Sequence, residues 1–96
     1  MTYEWDPVKA AANAKKHRVT FEEAASVFLD PWALTFWDPD HSEAEYREIT
    51  IGPSTRQRVL FVAHTAREGG VRIISARRAT RREQRQYDQA IGEPTQ

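Results

Sequence analysis

Four arginines crowd a short stretch near the end of the chain: Arg77, Arg78, Arg81 and Arg82. Guanidinium groups at this spacing repel one another, so a nearby anion is needed to offset them. Phosphate suits this role because the planar arginine fork matches phosphate oxygens in a bidentate geometry. The stretch therefore predicts a phosphate-binding surface, with a solvated, charged helix face as the alternative interpretation.

The charge of the chain is divided unevenly along its length. Residues 1–55 contain five lysines and arginines against ten acidic residues, whereas residues 56–96 contain nine arginines against four acidic residues. The formal net charge of zero therefore hides a first part at −5 and a second part at +5. This polarity indicates a basic surface for an anionic partner, beside an acidic surface for a different partner.

The composition predicts one globular domain that spans residues 1–96. A hydrophobic share of 40% and a charged share of 29% fit a chain with a single modest core. The chain has no cysteine, which excludes disulfides and thiolate metal sites and fits a reducing compartment. It lacks an apolar run of the roughly 20 residues that a membrane span needs, and it lacks the features of a signal peptide. We therefore expect a cytoplasmic protein.

The arginine stretch begins in a strand and continues into a helix. Val71 opens a β-branched run that is typical of a strand. Thr80, with Glu83 three residues later, forms the capping box that begins a helix. We expect this helix to run from Arg81 to about Ile91, with a frayed tail over residues 91–96.

The strand before this helix decides which arginines share a face. Strict alternation places Arg72 on one face with Ile74, Ala76 and Arg78, and places Arg77 on the other face with Ile73 and Ser75. All of these arginines then cannot share one sheet face. We therefore expect the strand to end before Arg77, so that Arg77 and Arg78 lie in the turn.

The first third of the chain predicts a short strand and two helices. Residues 3–5 form the strand, and Asp6 caps a helix from Pro7 to about Lys16. The apolar stripe of this helix is predicted to comprise Val8, Ala11, Ala12 and Lys15. Thr20 and Glu23 form a second capping box, whose helix ends at Asp30-Pro31. The two helices are expected to form a hairpin that covers one face of a sheet.

The middle of the chain predicts three further strands at residues 32–37, 47–51 and 58–65, the second of them ended by Gly52-Pro53. The last three strands of the chain follow one another through short turns, which favours an antiparallel meander. The predicted order is β-α-α-β-β-β-β-α, an α+β fold with helices on a mostly antiparallel sheet.

Several of these segments together resemble the BrnT toxin family. The resemblance rests on Glu4-Trp5-Asp6 with Lys9 and Asn13, on Lys16-His17, on residues 19–24 and 38–42, on Arg47 with Ile51-Gly52, and on residues 72–77 with Ala79-Thr80 and Glu83. It implies a compact, RelE-like ribonuclease toxin that is neutralised by a BrnA-type antitoxin, with operator DNA contacted only through the antitoxin. The antitoxin is expected to inhibit by covering the RNA-binding face.

The chain departs from the family pattern at two positions. The family implies a glycine after the Lys-His pair, where this chain has Arg18, and a glycine in the turn near Gln57. Either the link after the first helix has a different shape here, or Arg18 takes a left-handed conformation.

A ribonuclease that works without a metal or other cofactor needs a base, an acid and cations that stabilise the phosphorane. His17 beside Lys16 is a candidate for proton transfer, whereas His41 lies in an acidic loop. The resemblance adds the basic and aromatic residues of the sheet face and last helix. The predicted catalytic residues are Lys16, His17, Arg72, Arg77 and Glu83. The predicted substrate-binding residues are Arg47, His64, Arg67, Arg78, Arg81 and Tyr87, although His64 and Tyr87 also fit packing roles and Glu83 also fits its capping role.

Two alternatives compete with the ribonuclease. The chain fits a catalytically weak module that binds an antitoxin or acts as a DNA corepressor, because its acid–base candidates are few. A metal nuclease would need Asp38, Asp40 and Glu43 to coordinate a cation, and a solvated loop is the favoured interpretation of that cluster.

Overall fold

The computed structural model describes residues 1–41 and 45–92, except for the side chain of His41. The strands are β1 (Thr2–Glu4), β2 (Leu34–Trp37), β3 (Glu48–Pro53), β4 (Val59–Arg67) and β5 (Gly70–Arg78). The helices are α1 (Pro7–His17), α2 (Phe21–Val27) and α3 (Arg81–Ala90), and a 3₁₀ turn spans Pro39–His41. Residues 93–96 of the predicted tail lie outside the described residues.

The five strands form one mixed sheet in the order β1-β5-β4-β3-β2. Strands β3, β4 and β5 pair antiparallel, as the predicted meander requires, and β2 also pairs antiparallel with β3, whereas β1 pairs with β5 in parallel. The parallel pairing is short and joins Thr2–Glu4 to residues 70–72 of β5. The α+β class is confirmed. Beyond residue 72, β5 runs on without β1 beside it, which leaves room for the end of α1.

The two faces of the sheet are covered by different helices. The larger core lies between the sheet and the pair α1 and α2, which confirms the predicted hairpin on one face. Its buried members are Val19, Phe21, Ala24, Val27, Leu60, Val62, Ile73 and Ala76. Tyr87 of α3 lies instead with Ile51 and Phe61, whose strand register places them on the opposite face from Val62. We call this second surface the α3 face.

A β-bulge in β5 changes the side-chain alternation. The register with β4 passes from Ala63 opposite Ser75 to His64 opposite Ile73, so Ile74 has no partner of its own. Ile73 and Ala76 are consequently buried in the same core, and the predicted separation of these residues onto opposite faces is wrong. The predicted end of the strand before Arg77 is also wrong, because β5 continues to Arg78. The bulge thereby turns Arg72, Ser75 and Arg77 towards the α3 face.

Helix α1 packs through different residues from those predicted. Val8 of the predicted stripe is 78% exposed, and the buried residue is Asn13. The Asn13 amide nitrogen donates to the carbonyls of Val19 (2.9 Å) and Ala76 (2.8 Å), and its Oδ1 accepts from the Ala76 amide (3.1 Å). Asn13 therefore joins α1, the α1–α2 link and β5 next to the bulge.

Only half of the second capping box forms. Thr20 accepts from the Glu23 amide at 3.0 Å, as predicted. The Glu23 carboxylate points into the protein instead, where it accepts from Ser54 at 2.7 Å and forms an ion pair with Arg58. Burial alone raises the pKa of Glu23, but the hydrogen bonds from Arg58 and Ser54 outweigh it and lower the pKa. Glu23 is therefore a charged anchor between α2 and the β3–β4 turn.

The remaining elements differ from the predictions mainly at their ends. Strand β2 begins at Leu34 rather than at Trp32, and β3 includes Gly52 and Pro53, which were predicted to end it. The Thr80–Glu83 capping box of α3 is complete, and Gly92 has the positive φ of 73° expected just past the helix. Arg18 and Gln57 also have positive φ values, of 58° and 63°.

Candidate active site

A cavity of about 330 Å³ opens on the α3 face where β5, β4 and β3 meet the end of α1. The charged and titratable side chains in its wall are His17, Asp38, Arg47 and Arg77, and the rest of the wall is Ile49, Phe61, Ala63, Ser75 and Ala76. The cavity therefore combines two arginines, a histidine and a carboxylate on an apolar floor.

Arg77 is held in the cavity wall by contacts with Glu83 and Phe61. Its guanidinium donates to both carboxylate oxygens of Glu83, at 2.8 and 2.9 Å, and lies 4.2 Å from the centre of the Phe61 ring. The hydrogen bonds that Arg77 donates to Glu83 raise the pKa of Arg77, and the same contacts lower the pKa of Glu83. Because Glu83 also caps α3 through the Thr80 amide, the start of the helix and the position of Arg77 are coupled.

Arg47 and Asp38 lie together where β2 and β3 diverge. The Asp38 amide donates to the Arg47 carbonyl at 3.0 Å, which fixes the two backbones side by side. Arg47 Nε lies 3.8 Å from a Glu45 carboxylate oxygen. Asp38 was interpreted as part of a solvated loop, and its place in the cavity wall was missed. The signal that could have indicated this place is that Asp38 directly follows an edge strand and lies opposite the start of β3.

His17 reaches the cavity because it is the last residue of α1, beside the part of β5 that β1 leaves unpaired. A shallower groove adjoins the cavity and shares His17 and Ser75 with it. The other residues of this groove include Lys9, Asn13 and Lys16. Lys16 therefore lies next to the cavity rather than in its wall.

The structure does not bring the other predicted site residues into the cavity wall. Arg72 pairs with Glu4 of β1 at 3.1 Å, and Arg67 lies 3.9 Å from Glu45. Arg78 and Arg81 are exposed. Tyr87 is buried and donates its hydroxyl to the Trp32 carbonyl at 3.2 Å. The arginines of the strand–helix junction are thus not gathered around one pocket, because Arg77 alone among them lines the cavity.

His64 lies on the other side of the sheet from the cavity. Only 3% of the residue is exposed, and its Nε2 is 2.7 Å from the Thr50 hydroxyl. Its ring packs edge-on against Phe28, with 4.9 Å between ring centres. Burial lowers the pKa of His64, which favours the neutral imidazole. These contacts are those of a packed core histidine.

Within residues 1–41 and 45–92 no group of three or more histidine, cysteine, aspartate and glutamate side chains is arranged to hold a metal ion. Asp38 and Asp40 of the considered metal cluster belong to the described part, whereas Glu43 lies outside it. Among the described residues no helix is long and apolar enough to cross a membrane.

The fold and the cavity together define a small α+β protein with a concave, arginine-bearing site suited to an anion. Residues 5–83 match the profile of a family described as the ribonuclease toxin BrnT of type II toxin–antitoxin systems. The match covers most of the chain, and the chain belongs to this family. No curated protein matches the chain.

Proposed function

We propose that this protein is a metal-independent ribonuclease toxin with a RelE-like fold, formed by a single domain over residues 1–96. In the proposed reaction a 2′-hydroxyl of RNA attacks the adjacent phosphorus. A new bond forms between the 2′-oxygen and phosphorus, and the bond to the 5′-oxygen breaks. A base takes the 2′-hydroxyl proton, and an acid protonates the leaving 5′-oxygen. The products are a 2′,3′-cyclic phosphate and a free 5′-hydroxyl.

The observation that carries the proposal is the single cavity that contains His17, Arg47 and Arg77. Two guanidiniums near one phosphate can offset the charge of the phosphorane. His17 is proposed as one proton-transfer group and Asp38, in the same wall, as its counterpart. Lys16, in the adjoining groove, is proposed to hold the next phosphate of the RNA. The exposed Arg67, Arg78 and Arg81 and the half-buried Arg72 are proposed to contact more distant phosphates.

Glu83 is proposed as a positioning residue rather than a group that touches RNA. Its two hydrogen bonds fix the Arg77 guanidinium over Phe61, so that the remaining donors of Arg77 have a defined direction. A preorganised cation stabilises developing charge without the cost of reorientation during the reaction.

Cleavage of RNA by the purified protein in the presence of a chelator tests this proposal. We expect the parent protein to yield cyclic phosphate ends, Arg77→Ala to abolish detectable cleavage, and Arg77→Lys to retain a small part of it, because lysine keeps the charge and loses the fork. Arg56→Ala is the matched control, since the Arg56 side chain is 67% exposed and does not line the cavity. Equal cleavage by Arg77→Ala would remove Arg77 from the site.

Single replacements of the three histidines assign the proton transfer. His17→Ala is expected to lower kcat by about 100- to 10,000-fold, the usual contribution of a general acid or base. His64→Ala is expected to lower stability while the folded fraction still cleaves RNA, because His64 lies across the sheet from the cavity. A full rate for His17→Ala would exclude it from the chemistry.

An alternative function is a weakly catalytic module that binds an antitoxin or acts as a DNA corepressor. The observation in its favour is that a carboxylate lies near each arginine of the cavity: Glu83 near Arg77 and Glu45 near Arg47. These acids reduce the net positive charge that an RNA phosphate would meet. Growth arrest on expression discriminates the two, since the alternative expects a harmless chain that still binds its antitoxin.

The proposed partners follow from the family. Type II toxins have an antitoxin partner and this family an RNA target, and we propose a BrnA-type protein as the antitoxin here. Contact with operator DNA is proposed to occur only through that antitoxin. Action on cellular RNA would place the activity in the cytoplasm.

A further inference from the structure

Strand β2 forms an unprotected edge of the sheet. It pairs with β3 on one side and is the last strand in the order. Its sequence is Leu34-Thr35-Phe36-Trp37, without the charge or proline that usually protects an edge strand. Phe36 and Trp37 are 47% and 55% exposed. An exposed apolar edge of this kind is a template for another strand.

An apolar groove of about 380 Å³ lies next to this edge, between α3 and the sheet. Leu34 and Phe36 of the edge strand line it, together with Ile51, Phe61, Glu83, Gln86, Tyr87 and Ala90. Leu34 and Phe36 lie two residues apart in β2, so their side chains share the face that borders this groove. A strand added beside β2 would likewise direct every second side chain towards the groove. The groove also shares Phe61 with the wall of the cavity.

A basic ridge, formed by Arg81, Arg82 and Arg85, follows the exposed side of α3. Arg82 lies one helical turn before Gln86, which lines the groove, so the ridge borders the groove. In the part of the chain that the structure describes, these three arginines form no ion pair with a carboxylate. The ridge therefore offers unneutralised positive charge beside an apolar groove and an open strand edge.

We propose that β2, the groove and the basic ridge form the docking site for an extended, acidic segment of the antitoxin. The segment adds a strand to β2, places alternate apolar side chains in the groove and turns carboxylates towards Arg82 and Arg85. This proposal rests on the toxin–antitoxin function proposed above, but it does not depend on RNA cleavage.

The lining of the groove favours a protein segment over RNA and over a second copy of this chain. The groove wall is mainly aliphatic and aromatic, which suits the apolar side chains of an extended peptide rather than RNA phosphates. A two-fold contact between two β2 strands would place two basic ridges side by side on the same face of a joined sheet. An acidic segment instead neutralises the ridge.

Binding of the purified, full-length cognate antitoxin to the full-length toxin tests the proposal. We expect Phe36→Asp and Arg82→Glu each to weaken binding by at least about tenfold, because each removes a central contact of the site. Leu29→Asp and Lys15→Glu are the matched controls for an exposed apolar and an exposed basic residue elsewhere, and both are expected to bind like the parent. Hydrogen exchange should show new protection of the amides of Leu34–Trp37 in the complex.

Parallel measurements separate this proposal from the ribonuclease. Phe36→Asp is expected to escape inhibition by the antitoxin, measured relative to its own cleavage rate without antitoxin, because the Phe36 ring packs against Phe61 of the cavity wall. If the parent cleaves no RNA, the ribonuclease proposal fails while the binding measurement still decides the docking site. Unchanged antitoxin affinity in both variants, without protection of β2, would overturn the docking proposal. Protection of β2 by RNA alone, or a toxin dimer that Phe36→Asp dissociates, would overturn it as well.

Discussion

Arg18 and Gln57 hold left-handed backbone conformations that glycine adopts without steric cost. Their φ values of 58° and 63° bring Cβ close to the following carbonyl oxygen. Arg18 occupies the site at which the family resemblance implies glycine, and Gln57 lies in the turn near which it implies another, so both links keep a left-handed backbone at a steric cost. The Arg18 carbonyl accepts from Arg58 at 3.1 Å, which fixes this link against the Glu23 anchor.

We predict that Gln57→Gly stabilises the protein by about 0.5–1 kcal/mol, since relief of left-handed strain exceeds the added entropy of the unfolded chain. Chemical denaturation measures the change. Gln57→Ala is the control, because alanine keeps the Cβ and should give no gain. A glycine variant less stable than the alanine variant would contradict the interpretation.

Glu83 has two structural tasks that can be separated by mutation. It accepts from the Thr80 amide at 2.9 Å in the capping box, and it holds Arg77. We predict that Glu83→Gln lowers kcat by about tenfold or more, because Arg77 loses its fixed direction. Stability should fall by only about 1 kcal/mol, since the ion pair is partly exposed.

Thr80→Ala is the matched control for this prediction. It removes the hydroxyl that accepts from the Glu83 amide at 3.1 Å and leaves the contact with Arg77 in place. Loss of the cap is expected to cost a similar amount, about 1 kcal/mol, without a change in kcat. Equal kcat values for the two variants would show that Glu83 acts on the helix alone.

At the scale of the elements, local sequence patterns correctly predicted the features whose signal lies within a few residues. The Thr80–Glu83 box, the Asp6 cap and the β-branched strands depend on neighbours in sequence, and the structure contains all of them. The second box failed in part because Arg58, 35 residues away, competes for the Glu23 carboxylate. A contact of that range leaves no trace in local spacing.

The candidate site was harder to predict than the strands that carry it. The extra residue at Ile74 has no sequence signal, yet it decides that Arg77 faces the cavity. Asp38 was missed because its role depends on β3 lying beside it. The burial of His64 was one of the two interpretations considered, and only the packing of Phe28 against it decides between them.

Asn13 joins the element that carries His17 to the strand that carries Arg77. Its side chain satisfies two carbonyls and one amide in the interior. We predict that Asn13→Ala costs about 3 kcal/mol, because these buried groups lose their partners. Val8→Ala on the exposed side of α1 should change stability by less than about 0.5 kcal/mol. A small effect of Asn13→Ala on the free energy of unfolding would contradict this role of Asn13.

At the scale of the whole molecule, the division of charge along the sequence becomes a network across the fold. The acidic first half supplies Glu4, Glu23 and Glu45, and the basic second half supplies their partners Arg72, Arg58 and Arg67. Much of the opposite charge of the two halves therefore forms ion pairs between elements of the fold and is not available to a partner. Among the described residues of the second half, Arg78 and the basic ridge of α3 remain outside this pairing.

Glu23, Glu83 and His64 make the stability of the protein depend on pH in two ranges. Folding lowers the pKa values of Glu23 and Glu83 from 4.5, so their contribution is present above that pH and is lost as pH falls through the folded values. Folding lowers the pKa of His64 from 6.5 through burial, although Glu48 opposes the shift. The unfolded state then binds more protons, and stability falls as pH drops below about 6.5.

We predict that His64→Gln removes the upper of these two ranges. Glutamine does not titrate and can still reach the Thr50 hydroxyl, which also lies 2.7 Å from the Thr35 hydroxyl. Urea unfolding from about pH 8 to about pH 5 should show a fall in stability for the parent and a flatter profile for the variant. The variant is expected to be less stable at pH 8, because the edge contact with Phe28 is lost. Parallel profiles for the two proteins would contradict the role of His64 in this pH range.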